Sequence, residues 1–512
     1  MLTNEIKSKV QSLWDRLWAG GLSNPITAIE QISYLLFMKR LENFHPQTPK
    51  DFKWSTYHQF EGEKLASHVK DHVFEYIKND LSKKGEPFAD SMVDSSFRIN
   101  NASLLEDAIE IIDSIYLEIQ KQEKEDSQYF QDIQGDVYEH LLKQTSEAGK
   151  NGQFRTPRHI IQMMMELLDP DVDGKICDLA CGSGGFLVGA YQYLITKKSK
   201  KITVDDNGLQ KGIDGALLTA SQTKLLKENI FHGFDIDQTM VRIGIMNLMM
   251  HGITKPKITH LDTLSSDYEN YEGDEPSEKY KYILANPPFT GKINSLTVSE
   301  NLDRVYPPKK DKDGNREKQT VQSELLFLER IIYMLEENGK AAVIVPEGLL
   351  FNSGGAYKEI RKILMTDCDL EGIVSLPEGV FMPYTNVKTS ILIFTKRKLR
   401  NDTPQTMDVW FYGMKSDGYS LDANRRRLKN KPLPLVITEW KKRNQKPNNN
   451  RELQYFSVPY LEIVANGYEL NFNLYQDFVY EPQNYRAPQV ILEQLSALEN
   501  EILKGMNNIK LR

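Results

Sequence analysis

Residues 284–289 read Leu-Ala-Asn-Pro-Pro-Phe. The run Tyr282-Ile283-Leu284-Ala285 before it has the composition of a buried strand, and it stops at an amide, two prolines and an aromatic ring. Prolines cannot continue a central strand and Asn-Pro opens turns, so a plain chain reversal accounts for the pattern. A second account gives the residues chemistry. The Asn286 side-chain oxygen and the Pro287 carbonyl present two acceptors to a flat amine, Pro287 and Pro288 fix the backbone direction, and Phe289 stacks on the ring that carries the amine. An exocyclic amine such as that of adenine is a poor nucleophile, because its lone pair is delocalised into the ring. Two fixed acceptors pull it toward tetrahedral geometry, so that it attacks a methyl group and loses its proton afterwards. That is positioning and dipole placement rather than general-base chemistry. A base inside a duplex would have to swing out to reach Phe289.

A second stretch, DLACGSGGFL at 178–187, places an acid at the start of a glycine-rich turn. Glycines let the backbone turn tightly and approach a ligand. A dinucleotide fingerprint needs a third glycine at position 187, which is Leu187, and no Walker lysine follows. Asp178 instead suits a cationic or amine-bearing ligand. Asp235, in FHGFDID, ends another strand-like run 53 residues beyond Gly182. A carboxylate there accepts both hydroxyls of a ribose. Asp262, in ITHLDTL, could accept from an adenine amine, although an acid in a strand-end turn is ordinary.

The elements that must hold these residues alternate between strand and helix. KICDLAC, IFHGFDI, PKITHLD, YKYILANPPF, KAAVIVPE and TSILIFTK read as strands, with helical stretches between several of them. Such alternation predicts an α/β doubly wound parallel sheet, with ligands at the carboxyl ends of its strands. Asp178 to Gly185, Asp235, Asp262 and Asn286 all fall at such ends. Residues 1–148 read as an N-terminal helical bundle: Asn24-Pro25 is a helix start, followed by ITAIEQISYLLFMKRLENF and later NASLLEDAIEIIDSIYLEI. Residues 149–400 carry the sheet. Residues 401–512 form a C-terminal helical extension, because the last strand is expected near Lys396. The inserts 197–212 and 305–319 read as surface loops. In the final helix Ile491, Leu495, Leu498 and Ile502 form a narrow apolar seam suited to another helix, or to its own domain.

Composition narrows the class. The chain has 512 residues, 40% of them hydrophobic and 26% charged, which describes a water-soluble protein of two to four domains. No long uncharged apolar run marks a membrane span or a signal peptide. Cys177, Cys181 and Cys368 have no clustered ligands for zinc and read as buried thiols of a reducing cytoplasm. The net charge of -7 argues against a chain that grips DNA alone. Local basic runs, Arg425 to Arg427 and Lys441 to Arg443, are the candidate phosphate contacts.

Together these stretches resemble the modification subunits of type I restriction–modification systems, which are adenine-N6 DNA methyltransferases. DLACGSGGFL is similar to the family's S-adenosyl-L-methionine loop, and NPPF to its catalytic tetrapeptide. The resemblance implies cofactor contacts from Asp178, Ala180, Gly182, Ser183, Gly184, Gly185, Phe186, Asp235, Ile236, Asp262 and Asn286. GQFRTPRHI is similar to the segment that touches the methionine part of the cofactor, which adds Phe154, Thr156 and Pro157. The catalytic set it implies is Asn286, Pro287, Pro288 and Phe289. LWDRLWAGGLSNPITAIEQISYLLFMKRL resembles the family's N-terminal helical domain, and GYSLDANRR and NGYELNFNLY its C-terminal signatures.

Only 116 residues follow Lys396, which leaves little room for a base-reading domain. The resemblance therefore implies double-stranded DNA as substrate and a separate specificity subunit. It also implies a second copy of this chain in a two-to-one complex, and a helicase-nuclease restriction subunit. Methylation of a protein glutamine, and a scaffold that binds cofactor without turnover, are the competing readings.

Overall fold

The computed structural model describes residues 2–81, 83, 86–126, 130–148, 155–272, 278–398, 404–445, 448–477 and 488–510. Four long helices build most of the N-terminal unit: α1 (Asn4–Ala19), α2 (Pro25–Phe44), α3 (Ala102–Asp126) and α4 (Phe130–Ala148). The start of α2 is the one its sequence announces. The Asn24 side chain accepts from the N–H groups of Ile26 and Thr27, and Pro25 occupies the first turn. On α1, Ile6, Val10, Leu13, Trp14 and Leu17 recur every three or four residues and are all buried.

The remainder is built on one nine-stranded sheet. Its strands are β1 (Ile176–Asp178), β2 (Phe231–Asp235), β3 (Lys257–His260), β4 (Tyr280–Ala285), β5 (Leu335–Pro346), β6 (Cys368–Ser375), β7 (Thr389–Lys396), β8 (Asp408–Gly413) and β9 (Tyr455–Pro459). Their order across the sheet is β9-β8-β6-β7-β5-β4-β1-β2-β3. Strands β3, β2, β1, β4 and β5 run parallel, while β7 is antiparallel to both of its neighbours. The chain winds outward from β1 to β3, then returns to the other side of β1 as β4. The switch point lies between β1 and β4, which is where such sheets bind ligands. Ile176 of β1 pairs with Phe231 on one side and Tyr282 on the other. The register therefore sets the ends of β1, β2 and β4 side by side.

Six expected strands are present. The expectation that the sheet stops near Lys396 is not: β8 and β9 extend it, β8 lying parallel to β6 and β9 antiparallel to β8. The segment after 400 therefore shares the central core before its helical end. Both of its strands are short, and their buried residues are consecutive rather than alternating, so no period-two pattern marks them. Residues 202–204 and 210–212 of the first insert form a two-stranded hairpin rather than an irregular loop.

Alternation along each strand divides the apolar side chains between two cores. Tyr282 and Leu284 face one, Ile283 and Ala285 the other; Ile391 and Ile393 oppose Leu392 and Phe394 in the same way. The first core also holds α5 (Arg158–Leu168), α6 (Gly185–Lys197), α7 (Gln238–Met250) and the N-terminal helices. The second holds α8 (Ser323–Met334) and α9 (Gly355–Thr366). A buried ion pair, Arg242 of α7 with Glu30 of α2 at 2.7 Å, fastens the helical unit to the sheet's helix layer. The three cysteines are free and buried.

Beyond β9 the terminal helix α10 (Pro488–Lys510) carries its seam in the open. Ile491, Leu495, Leu498 and Ile502 are 46%, 57%, 55% and 61% exposed, so this seam does not pack on its own domain.

Candidate active site

Strand β1 delivers Asp178 to the switch point and ends there. The chain then turns through Gly182 (φ 51°) and Gly184 (φ 75°), both left-handed conformations that favour glycine, before α6 begins at Gly185. The turn is held from β2: the Cys181 N–H donates to the Phe234 carbonyl at 2.9 Å, and the Gly182 N–H to Asp235 Oδ2 at 2.8 Å. The turn also presses on α7 at a second glycine. A Cβ at Gly244 would lie 3.0 Å from the Gly182 carbonyl.

Asp235 also accepts the Asp237 N–H at 2.9 Å, so its two oxygens set the ends of β1 and β2 in register. Burial raises its carboxyl above the ordinary range despite those two bonds. Asp178 is 1% exposed. Burial, with the neighbouring Asp235 charge, pushes its carboxyl up to about 8 against one opposing bond from the Ala180 N–H. Near neutral pH Asp178 is therefore largely protonated. A cation arriving beside it would draw the proton off. Asp262 lies two residues past the end of β3 and receives the Leu264 N–H at 2.9 Å. Ile236 is 70% exposed at the end of β2, an apolar face with no protein cover.

At the end of β4 the Asn286 Nδ2 donates to Thr156 Oγ1 at 3.1 Å. Its Oδ1 is buried and has no hydrogen-bond partner among the described residues. An orphaned acceptor of this kind costs on the order of 1–3 kcal/mol unless a ligand satisfies it. Phe289 is 4% exposed and packs edge-on against Phe381, with ring centroids 5.6 Å apart.

These groups line one cleft of ≈ 1510 Å³. Of the residues expected in the site, Thr156, Pro157, Asp178, Ala180, Gly182, Ser183, Gly185, Phe186, Asp235, Ile236, Asp262, Asn286, Pro288 and Phe289 face it. Gly184 and Pro287 are not among its lining residues, and Phe154 lies outside the described residues. The cleft has further walls, two of whose residues belong to the GYSLDANRR stretch. Glu139 and His140 come from α4, Phe381 from the loop after β6, and Tyr419 and Arg425 from the segment after β8. Among the described residues no cluster of His, Cys, Asp or Glu could hold a metal.

Most residues of the two basic runs form ion pairs within the chain. Arg425 pairs with the buried Asp417, which also receives His159 Nε2 at 2.8 Å, and Tyr419 stacks on the His159 ring at 4.4 Å. Arg427 pairs with Asp206 at 2.7 Å. Lys441, Lys442 and Arg443 pair with Glu166, Glu439 and Glu371. Arg425 and Arg443 are largely buried in these pairs, while Lys441 and Lys442 stay exposed. Arg426 alone of its run is left without an ion pair among the described residues.

A doubly wound sheet with antiparallel strands at β7 and β9, an acid-led glycine turn at β1 and an Asn-Pro-Pro-Phe at β4 defines a methyltransferase of the amino-group class. The chain belongs to the N-6 DNA methylase family, whose profile matches residues 130–483. It is 28% identical to the methylase subunit of the type I restriction enzyme EcoEI of Escherichia coli, over 99% of this chain and 97% of that one. It is also 28% identical to the StySJI methylase subunit of Salmonella typhimurium, over 81% and 72% of the two chains. Among solved structures, a chain of a type I R-M system superposes with a TM-score of 0.65 at 22% identity, covering 98% of this chain and 97% of the other. The type I methyltransferase subunit of Streptococcus thermophilus superposes with a TM-score of 0.61 at 19% identity, over 92% and 99%. Those two likenesses fix the fold.

Proposed function

We propose that this chain transfers a methyl group from S-adenosylmethionine to N6 of an adenine in double-stranded DNA, as the modification subunit of a type I restriction–modification complex. One observation carries the chemistry: a buried amide oxygen without a partner, at the switch point, facing the same cleft as the acid-led glycine turn. The donor set fits the cofactor. Asp235 would hold the ribose hydroxyls, Ile236 the adenine face, Asp178 and the Thr156-Pro157 segment the methionine part. When bound, S-adenosylmethionine supplies an electrophilic methyl group on a sulfonium.

The protein's part is to prepare the nucleophile. The target base leaves the duplex, at a cost of a few kcal/mol, and enters beside Phe289. Its amine donates to Asn286 Oδ1 and to the Pro287 carbonyl, which draw the lone pair out of conjugation. Thr156 holds the Asn286 amide so that the oxygen is not lost to rotation. Phe381 braces Phe289 from behind. Water is excluded by the walls from α4 and the segment after β8, which strengthens both hydrogen bonds. The proton leaves after attack, so no strong base is needed.

The choice of adenine belongs to a separate specificity subunit, with two copies of this chain to each, and a restriction subunit joins for cleavage. The open seam of α10 supports this reading. The complex works in the cytoplasm; among the described residues no helix is long and apolar enough to cross a membrane. The test is labelled methyl transfer to duplex DNA by the chain with its specificity partner. N6-methyladenine in the product supports the proposal, whereas label on protein glutamine, or none at all, overturns it.

Two further outcomes follow from the geometry. Asp235→Ala should weaken S-adenosylmethionine binding about 10- to 100-fold, the worth of one or two charged hydrogen bonds, measured by calorimetry. An unchanged affinity would remove Asp235 from the ribose site. Removing residues 488–512 should leave cofactor affinity intact and abolish co-purification with the specificity subunit. A complex that survives the truncation places the docking surface elsewhere.

A further inference from the structure

We infer that Glu139, contributed by the N-terminal helical unit, is a positioning residue that ties the cofactor turn to the catalytic amide. The inference rests on the proposed reading of the cleft. One carboxylate reaches both halves of the site. Glu139 Oε1 accepts from Asn247 Nδ2 at 2.8 Å, and the same Nδ2 donates to the Ser183 carbonyl of the glycine turn at 2.9 Å. Glu139 Oε2 accepts from Arg155 Nη2 at 3.2 Å. Arg155 directly precedes Thr156, the residue that holds Asn286. Pro157 follows, and its fixed φ stiffens the step between them.

The surroundings are built around this contact. Asp136, three residues earlier on α4, pairs with Arg158 at 3.0 Å, so two carboxylates on one helix face grip two arginines three positions apart. A Cβ at Gly135 would lie 2.4 Å from the His251 ring, so this glycine lets α7 close on α4. Burial alone would raise the Glu139 carboxyl, but Arg155 and Arg158 outweigh it and hold it below its ordinary range. The ionised form is therefore the one that bridges. Asn247 is fully buried, and its Oδ1 has no partner among the described residues.

A cluster like this is a poor source of stability, because apolar side chains of the same volume hold a helix interface at least as well. It does fix direction. One charged hydrogen bond from Asn247 and one from Arg155, both to Glu139, leave the glycine turn and Thr156 with one arrangement relative to α4. A shift of about 1 Å at either end is enough to cost up to 10²-fold in rate. The helical unit thereby becomes part of the site, not merely a neighbour of it.

The test uses the full chain with its specificity partner. Glu139→Gln, Arg155→Gln, Arg155→Lys and the double Gln variant are compared by S-adenosylmethionine calorimetry, single-turnover methyl transfer at saturating cofactor and DNA, and thermal melting. Glu139→Gln should lower the transfer rate about 10-fold and raise the cofactor Kd roughly 3- to 10-fold at nearly unchanged Tm. Arg155→Lys should recover most of the rate lost in Arg155→Gln, and the double variant should lose little more than either single one. Losses that multiply in the double variant, or Lys no better than Gln, overturn the inference. So do single variants that stay within twofold of wild type in both rate and Kd, and losses that merely track Tm. If Glu139→Gln fails to fold, the two Arg155 variants decide. If wild type transfers no methyl group, the functional reading fails instead, and the cofactor Kd of Glu139→Gln still decides this one.

Discussion

Asn286→Ala is expected to lower single-turnover methyl transfer about 10³-fold or more, while the Kd for S-adenosylmethionine stays within roughly threefold of wild type. Two effects combine in the loss. The variant removes one of the two acceptors that draw the adenine lone pair out of its ring, and deleting a single preorganised dipole of this kind costs about 10²- to 10³-fold. It also frees the amine to rotate in the cleft, which weakens its alignment with the methyl group. The cofactor should be spared because its ribose and methionine contacts belong to β1, β2 and the Thr156-Pro157 segment. Asn286→Asp separates the two effects. It keeps an acceptor, and the Thr156 hydroxyl can turn to donate to it, so the expected loss is smaller, about 10- to 100-fold. The protein complex with its specificity partner, assayed with labelled cofactor on duplex DNA, gives the comparison. Wild-type transfer by Asn286→Ala would remove the amide from the chemistry and leave its orphaned oxygen unexplained.

Most of the expected site residues line the cleft, because many of them stand at strand ends, where short-range signals are strongest. Gly182 and Gly184 occupy left-handed conformations that the glycine code anticipates. Asn24-Pro25 capped its helix as read, and six of the nine strands lay where apolar runs met turn residues. What the sequence hides are mainly contacts between distant residues. Arg425, Arg427, Lys441, Lys442 and Arg443 look like free charge in the sequence, yet Asp417, Asp206, Glu166, Glu439 and Glu371 pair with them. Three of those five pairs join residues far apart in sequence, so no local pattern encodes them. Glu139 escaped for the same reason: its partners Asn247 and Arg155 are brought to it only when α4 packs on α7. Strands β8 and β9 were overlooked because β8 is buried by pairing with β6, itself unmarked in the sequence, and β9 pairs only with β8.

Asp178→Asn should raise the melting temperature of the cofactor-free protein at pH 7.5 and weaken S-adenosylmethionine binding in the same experiment. An unfolded aspartate titrates near 3.9. In the folded chain burial holds Asp178 up to about 8. Between those values the unfolded state is charged while the native state keeps its proton, so the native state binds more protons. Stability therefore falls as pH rises through that window, with no penalty below about pH 4 and the full penalty above about pH 8. An asparagine carries no such linkage, and its Oδ1 can still receive the Ala180 N–H now held at 3.2 Å. Each pKa unit is worth about 1.4 kcal/mol, and relaxation of the site reduces the sum, leaving a gain on the order of 2 kcal/mol at pH 7.5. That corresponds to roughly 5 °C in melting temperature for a domain of this size, shrinking toward zero at pH 4–5. Cofactor binding should move the other way, by about 10-fold or more, because the ionised carboxylate is the partner that a cationic amine needs. Wild-type affinity should for the same reason strengthen between pH 6.5 and 8.5, and the asparagine variant should lack that slope. A melting temperature that rises equally at pH 5 and pH 8 would contradict the buried, proton-holding carboxyl. A rise in stability with cofactor affinity unchanged would leave Asp178 as a feature of the turn alone. The two readings differ in whether the glycine turn keeps an unfavourable acid for the ligand's sake.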